Sequence, residues 1–126
     1  MRLTLSLLKG RFAVCRLAPG HEVPAWASGG AFASITRTGD ELSVVCAEGA
    51  VPEGTRCERG WRILRIEGPL NFELTGILAS VGAPLAAAGV SIFAVSTFDT
   101  DYVLVREETV ERAIAALGAA GHGVST

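Results

Sequence analysis

The chain has 126 residues, 49% of them apolar, with 11 Lys and Arg against 13 Asp and Glu for a net charge of −2. That much apolar material fills a core in one compact unit or two half-size modules, and it excludes a disordered chain. The near balance of charge, with no run of basic residues, gives no electrostatic basis for nucleic acid or an anionic membrane as a partner.

From the start of the chain, residues 3–8 and 11–17 are apolar, β-rich runs around Lys9-Gly10, which predicts a tight hairpin. Ala18-Pro19-Gly20 ends it, and the Pro- and Gly-bearing stretch 21–30 leaves room for one helical turn around Pro24-Ala25-Trp26. Residues 31–38 and Leu42–Ala47 read as strands joined by a Thr38-Gly39-Asp40-Glu41 turn. Residues 48–60, rich in Gly, Pro and charge, read as a joint between halves. The second half opens with an alternating strand over 61–67, followed by the loop Gly68-Pro69-Leu70-Asn71-Phe72. A helix is expected over 73–88, with Leu74, Ile77, Leu78, Val81 and Leu85 at helical spacing and Pro84 bending or dividing it. Strands follow over 90–95 and 102–105. Glu107-Glu108-Thr109 then opens a helix with Val110, Ala113, Ile114 and Leu117 on its apolar stripe, and a short last strand is expected at 122–124.

Residues 74–98 carry no charge, a length that would span a bilayer. Gly76, Gly82, Pro84 and Gly89 punctuate them and the later part turns β-branched, so they read as helix, turn and strand, not as a membrane span. The first residues lack a signal-peptide pattern, because their apolar run is short and is followed by Lys9 and Arg11. Cys15, Cys46 and Cys57 are odd in number and lack CxxC spacing, which fits free thiols in a reducing cytoplasm better than a disulfide framework or a zinc site.

The polar connection Ser96-Thr97-Phe98-Asp99-Thr100-Asp101 gathers two carboxylates and three hydroxyls at one hairpin tip, more polar chemistry than a plain turn requires. Either Asp can equally serve its own backbone as a turn residue. His21 and His122 have no partners at metal-ligand spacing and read as surface or loop residues. Gly118-Ala119-Ala120-Gly121-His122-Gly123 follows a helix instead of a strand, which is the wrong context for a nucleotide loop. No Ser, Cys or Thr stands in a nucleophile motif. Neither a metal nor a cofactor is expected.

Residues 61–124 run strand, helix, strand, strand, helix, strand, an α+β, ferredoxin-like order. The first half echoes it. Residues 35–42 lie sixty positions before 95–102, whereas Ala18-Pro19 lies only fifty before Gly68-Pro69, so the first copy reads as lacking about one helix. Two modules are therefore expected, a trimmed one over 1–60 and a complete one over 61–126.

The string from Gly68-Pro69-Leu70-Asn71-Phe72 through Leu74-Thr75-Gly76-Ile77-Leu78, Pro84-Leu85-Ala86 and Ala88-Gly89-Val90 to Ser96-Thr97-Phe98-Asp99-Thr100-Asp101-Tyr102-Val103-Leu104-Val105 resembles an ACT domain. It is similar to the subgroup of stand-alone bacterial tandem ACT proteins and CASTOR-type cytosolic arginine sensors. The resemblance implies a regulatory, βαββαβ ligand-binding fold without catalysis of its own, taking an amino acid between modules. It implies a site built from Asn71, Phe72, Leu74, Thr75 and Gly76 in the loop and from Thr97, Phe98 and Asp101 at the hairpin, to which the polar tip adds Ser96 and Asp99 as candidate ligand-binding residues. Leu74-Thr75 stand where the family carries an acidic residue and a Pro. In chemical terms a helix start suits a carboxylate and Asp101 suits an ammonium or guanidinium. Open sheet edges imply a homodimer. The competing expectations are a ligand-independent interaction and oligomerisation module and, for a pocket holding a His beside an acid, a small enzyme.

Overall fold

The computed structural model describes residues 1–68 and 75–126. In chain order its elements are β1 (Thr4–Leu7), β2 (Phe12–Leu17), a 3-10 turn (Ala25–Ala27), β3 (Ser34–Arg37) and β4 (Leu42–Ala47). After a second 3-10 turn (Glu48–Ala50) come β5 (Cys57–Ile66), α1 (Ile77–Ala87), β6 (Ile92–Ser96), β7 (Asp101–Arg106), a 3-10 turn (Glu107–Thr109), α2 (Val110–Ala119) and β8 (Gly123–Ser125). The chain divides into two compact units, Gly10–Trp61 and Met1–Lys9 with Arg62–Thr126.

In the Gly10–Trp61 unit, β2 pairs antiparallel with β4 on one side and with the first part of β5 on the other, and β3 pairs with β4. Alternation decides which face is buried. Ala13 and Cys15 on β2 and Leu42, Val44 and Cys46 on β4 point one way and pack with Ala27 and Val51. The single 3-10 turn stands where a first helix was not expected. The stretch read as a joint is instead partly strand, since β5 starts at Cys57. Gly60, the last residue of the stretch read as a joint, sits at φ 80° where the β2–β5 register shifts between Phe12 and Val14, so it makes a bulge and the strand continues. The amide freed there is satisfied: Gly60 N–H donates to Glu48 Oε1 at 2.7 Å, and Arg59 donates to the Glu48 and Val51 carbonyls.

The other unit holds β5–α1–β6–β7–α2–β8, the α+β ferredoxin-like order. Its core joins Leu64 and Ile66 of β5, Ile77, Val81 and Leu85 of α1, Val103 and Val105 of β7, and Ala113 and Leu117 of α2. Leu5 of β1 belongs to the same cluster. The expected hairpin of residues 3–17 does not form. β1 pairs antiparallel with β5 (Leu5↔Ile66) and parallel with β8 (Thr4↔Gly123), so both its edges are taken and it stands between those two strands. Residues 1–9, expected in the first module, accordingly group with the second. Local pattern makes residues 3–8 a strand; partner choice is decided by the apolar side chains of the distant β5 and β8.

His122, read as a surface or loop residue, lies in the connection into β8 as a loop residue but is buried there, 6% exposed. The Leu3 amide donates to its Nδ1 at 3.0 Å, which fixes Nδ1 as acceptor and puts the proton on Nε2. Nε2–H then donates to the Ser80 carbonyl at 3.0 Å, with the Ser80 hydroxyl 3.2 Å away. One imidazole thus joins the start of β1, helix α1 and the lead into β8.

Candidate functional site

β6 and β7 pair from Ile92↔Val105 to Ser96↔Asp101, which leaves Thr97–Phe98–Asp99–Thr100 as the turn. The turn is closed by side chains as well as backbone. Thr97 N–H donates to the Thr100 carbonyl at 2.9 Å, Thr97 Oγ1 donates to the same oxygen at 3.0 Å, and Thr100 N–H donates back to Thr97 Oγ1 at 3.4 Å. This is the hydroxyl-turn chemistry that favours Thr at such corners. The Thr100 side chain points inward, 3% exposed, and its hydroxyl donates to the Ile66 carbonyl at the end of β5. The hairpin tip is therefore fixed to the strand end from which the chain enters residues 67 and 68.

Of the residues expected at the site, Ser96, Thr97, Phe98 and Asp99 are exposed at this tip and Asp101 is half-buried at the first position of β7. Phe98 is 80% exposed, an unusual position for a large aromatic ring. Thr75 and Gly76 are exposed at the entrance of α1. Gly76 has φ 77° and its carbonyl accepts the Ser80 N–H at 2.8 Å, opening the helix. Among the described residues nothing lies within 4 Å of a Cβ built on Gly76, and its positive φ is the reason for glycine there. Asn71, Phe72 and Leu74 lie outside the described residues. No group of His, Cys, Asp and Glu suited to a metal ion occurs among the described residues.

Sequence reasoning passed over Thr100, the residue that fixes the tip. Its signal was present as a Thr three positions after Thr97, the spacing of the Thr38–Glu41 turn. There Thr38 N–H donates to the Glu41 carbonyl at 2.9 Å and Glu41 N–H donates to Thr38 Oγ1 at 3.2 Å. The registers Arg37↔Leu42 and Ser96↔Asp101 each leave a four-residue connection, 38–41 and 97–100.

A family model described as the ACT domain matches residues 56–119, more than half of the chain. The chain belongs to the ACT-domain family. A further family model, for an N-terminal domain, matches residues 10–54. A protein of known structure from Agrobacterium tumefaciens is 44% identical with a TM-score of 0.94, covering 98% of this chain and 92% of that one. The human cytosolic arginine sensor for mTORC1 subunit 1 is 40% identical over 67 residues, 52% of this chain and 20% of the sensor. This chain thus spans about a fifth of the length of the curated relatives it matches. The regulatory subunit of Thermus thermophilus aspartate kinase shares the fold, with a TM-score of 0.64 at 13% identity over 92% of this chain and 95% of that one. No helix among the described residues is long and apolar enough to cross a membrane.

Proposed function

We propose that this ACT-domain protein is a non-catalytic regulatory module that binds an amino acid or a similar small zwitterionic metabolite in the cytoplasm. The observation that carries the reading is the hairpin tip: an exposed Ser96–Asp99 surface beside Asp101, held to the end of β5 through the buried Thr100 hydroxyl. An anchored loop bearing the carboxylates of Asp99 and Asp101 is suited to an ammonium or guanidinium. The positive end of α1, entered through Thr75 and Gly76, is suited to a carboxylate. Asn71, Phe72 and Leu74 complete the proposed site. The names of the curated relatives, arginine sensors, support this ligand class.

The proposed working form is a homodimer. On α1, Leu78, Ala79, Ala83 and Ala86 face solvent without a single charge, and the adjoining strand β6 exposes Ile92 and Ala94. The same uncharged face favours the second reading, an interaction module that assembles without a ligand. Melting temperature against a panel of amino acids separates the two. A ligand at a hundred times its Kd adds about 2.7 kcal/mol, a shift of several degrees for a domain of this size. A shift from one chemical class that disappears in Asp101→Ala supports the sensor. A melting curve indifferent to every amino acid leaves the assembly reading in its place.

A further inference from the structure

Three thiols share one face of the Gly10–Trp61 unit, on three neighbouring strands: Cys15 on β2, Cys46 on β4 and Cys57 at the start of β5. Their positions in the ladders are unequal. Cys15 stands directly opposite Cys57 across the β2–β5 pair. One step along, Arg16 N–H donates to the Arg56 carbonyl at 2.9 Å, so Arg16 and Arg56 are a hydrogen-bonded pair and Cys15 and Cys57 a non-hydrogen-bonded one. In such pairs the Cα atoms lie about 4.5 Å apart and the side chains approach closely, within the window of about 4.4–6.8 Å that a disulfide requires. Cys46 faces Ala13, with Cys15 facing Val44, so Cys15 and Cys46 are diagonal neighbours. Diagonal Cα atoms lie about 7–8 Å apart, beyond that window. Access divides the thiols the same way: Cys15 and Cys46 are buried, and Cys57 is half-exposed.

We propose that Cys15 and Cys57 are a reversible modification site, closing a cross-strand disulfide when the protein meets hydrogen peroxide while Cys46 remains a thiol. Cys57, the accessible sulfur, attacks one peroxide oxygen as its thiolate. The O–O bond breaks, Cys57 becomes a sulfenic acid and the second oxygen leaves as water after taking a proton. The Cys15 sulfur then attacks the Cys57 sulfur and displaces its hydroxyl, which departs as water with the Cys15 thiol proton. Two thiols are oxidised to one disulfide and one peroxide is reduced to two waters. Two equivalents of a small thiol such as glutathione reverse the step and are themselves oxidised to a disulfide. Burial pushes the Cys15 thiol up to about 12, with Cys57 and Cys46 adding to the effect. Cys15 therefore stays protonated until the sulfenic acid beside it draws it into reaction, and the order of the two attacks follows. Burial raises Cys46 as well, and its thiol donates to the Ala47 carbonyl at 3.6 Å.

The test is peptide mapping of the full chain after stoichiometric hydrogen peroxide, with remaining thiols alkylated in denaturant. The expected result is a Cys15–Cys57 linkage, alkylated Cys46, a mass lower by two hydrogen atoms, and full reversal by dithiothreitol. The Cys46→Ser variant is expected to form the same linkage, and Cys57→Ser none. Linkage through Cys46, or three alkylatable thiols after peroxide, or Cys57 carried on to sulfinic acid with Cys15 still free, would overturn the proposal. The mapping on the unaltered protein decides it whether or not a variant folds.

Discussion

The hydroxyl of Thr100 donates to the backbone carbonyl of Ile66, a side chain at one strand's threshold holding the end of another. Thr100→Val keeps the shape and removes this donor, leaving the buried carbonyl short of a partner. We expect a loss of about 1–2 kcal/mol in urea denaturation, largely restored by Thr100→Ser. A Val variant as stable as the parent would show that the contact does not hold the tip.

His122 is expected to matter more. Its removal to Ala orphans the Leu3 amide and the Ser80 carbonyl and leaves a void where the ring packed. The combined cost is about 2–4 kcal/mol. Hydrogen exchange gives a local readout: the Leu3 amide should lose protection in His122→Ala before the amides of β7 do.

The bulge in β5 gives a paired prediction. Glu48→Ala leaves the Gly60 amide without its carboxylate acceptor, at a cost of about 1–3 kcal/mol, whereas Glu48→Gln retains an oxygen and costs less. Gly60→Ala forces a Cβ into a left-handed backbone and costs about 1–2 kcal/mol with no steric neighbour to blame. Chemical denaturation midpoints should therefore rank parent, Gln, then Ala at position 48.

Alkaline pH should destabilise the reduced protein in a defined window. The unfolded chain releases the Cys15 proton near the ordinary thiol value of 9.0, while the native chain keeps it until about 12. The stabilisation is thus fully present below pH 9 and is lost as pH rises from there toward 12. The slope contributed by one such thiol is at most about 1.4 kcal/mol per pH unit. Cys15→Ala, measured in reductant, should flatten this part of the profile, with Cys46, raised in the same direction by burial, contributing slope of the same sign.

Much of the fold was legible where the signal was local. Leu42–Ala47 alternates over a buried face and forms β4 with those bounds, and the single helical turn by Trp26 stands at Ala25–Ala27. On α1, Ile77, Val81 and Leu85 point inward as their spacing requires, while Leu78 faces out at 38% exposure because the stripe is narrower than the run of apolar residues. Long-range choices were not legible. Nothing in residues 3–8 tells β5 and β8 from β2 as partners, and a single His carries no periodicity to reveal that it is buried. The stretch 48–60 looked like a joint because a glycine that breaks a strand and one that makes a bulge, as Gly60 does, have the same letter. At the candidate site the sequence gathered the hairpin residues by adjacency alone; that Thr100 and not its neighbours turns inward depends on Ile66, thirty-four positions away.

The placement of β1 has a consequence for biosynthesis. Leu3, at the mouth of that strand, and His122, which receives its amide, are separated by 119 positions. At translation rates of roughly 5–20 residues per second, the strand waits on the order of ten seconds after emerging from the ribosome before β8 exists to cover its edge. Residues 10–61 form a contiguous unit that is whole long before then. Until β5 is made, both edges of this apolar strand are open, and from then until β8 is made the edge that β8 covers stays open, a template for wrong pairing.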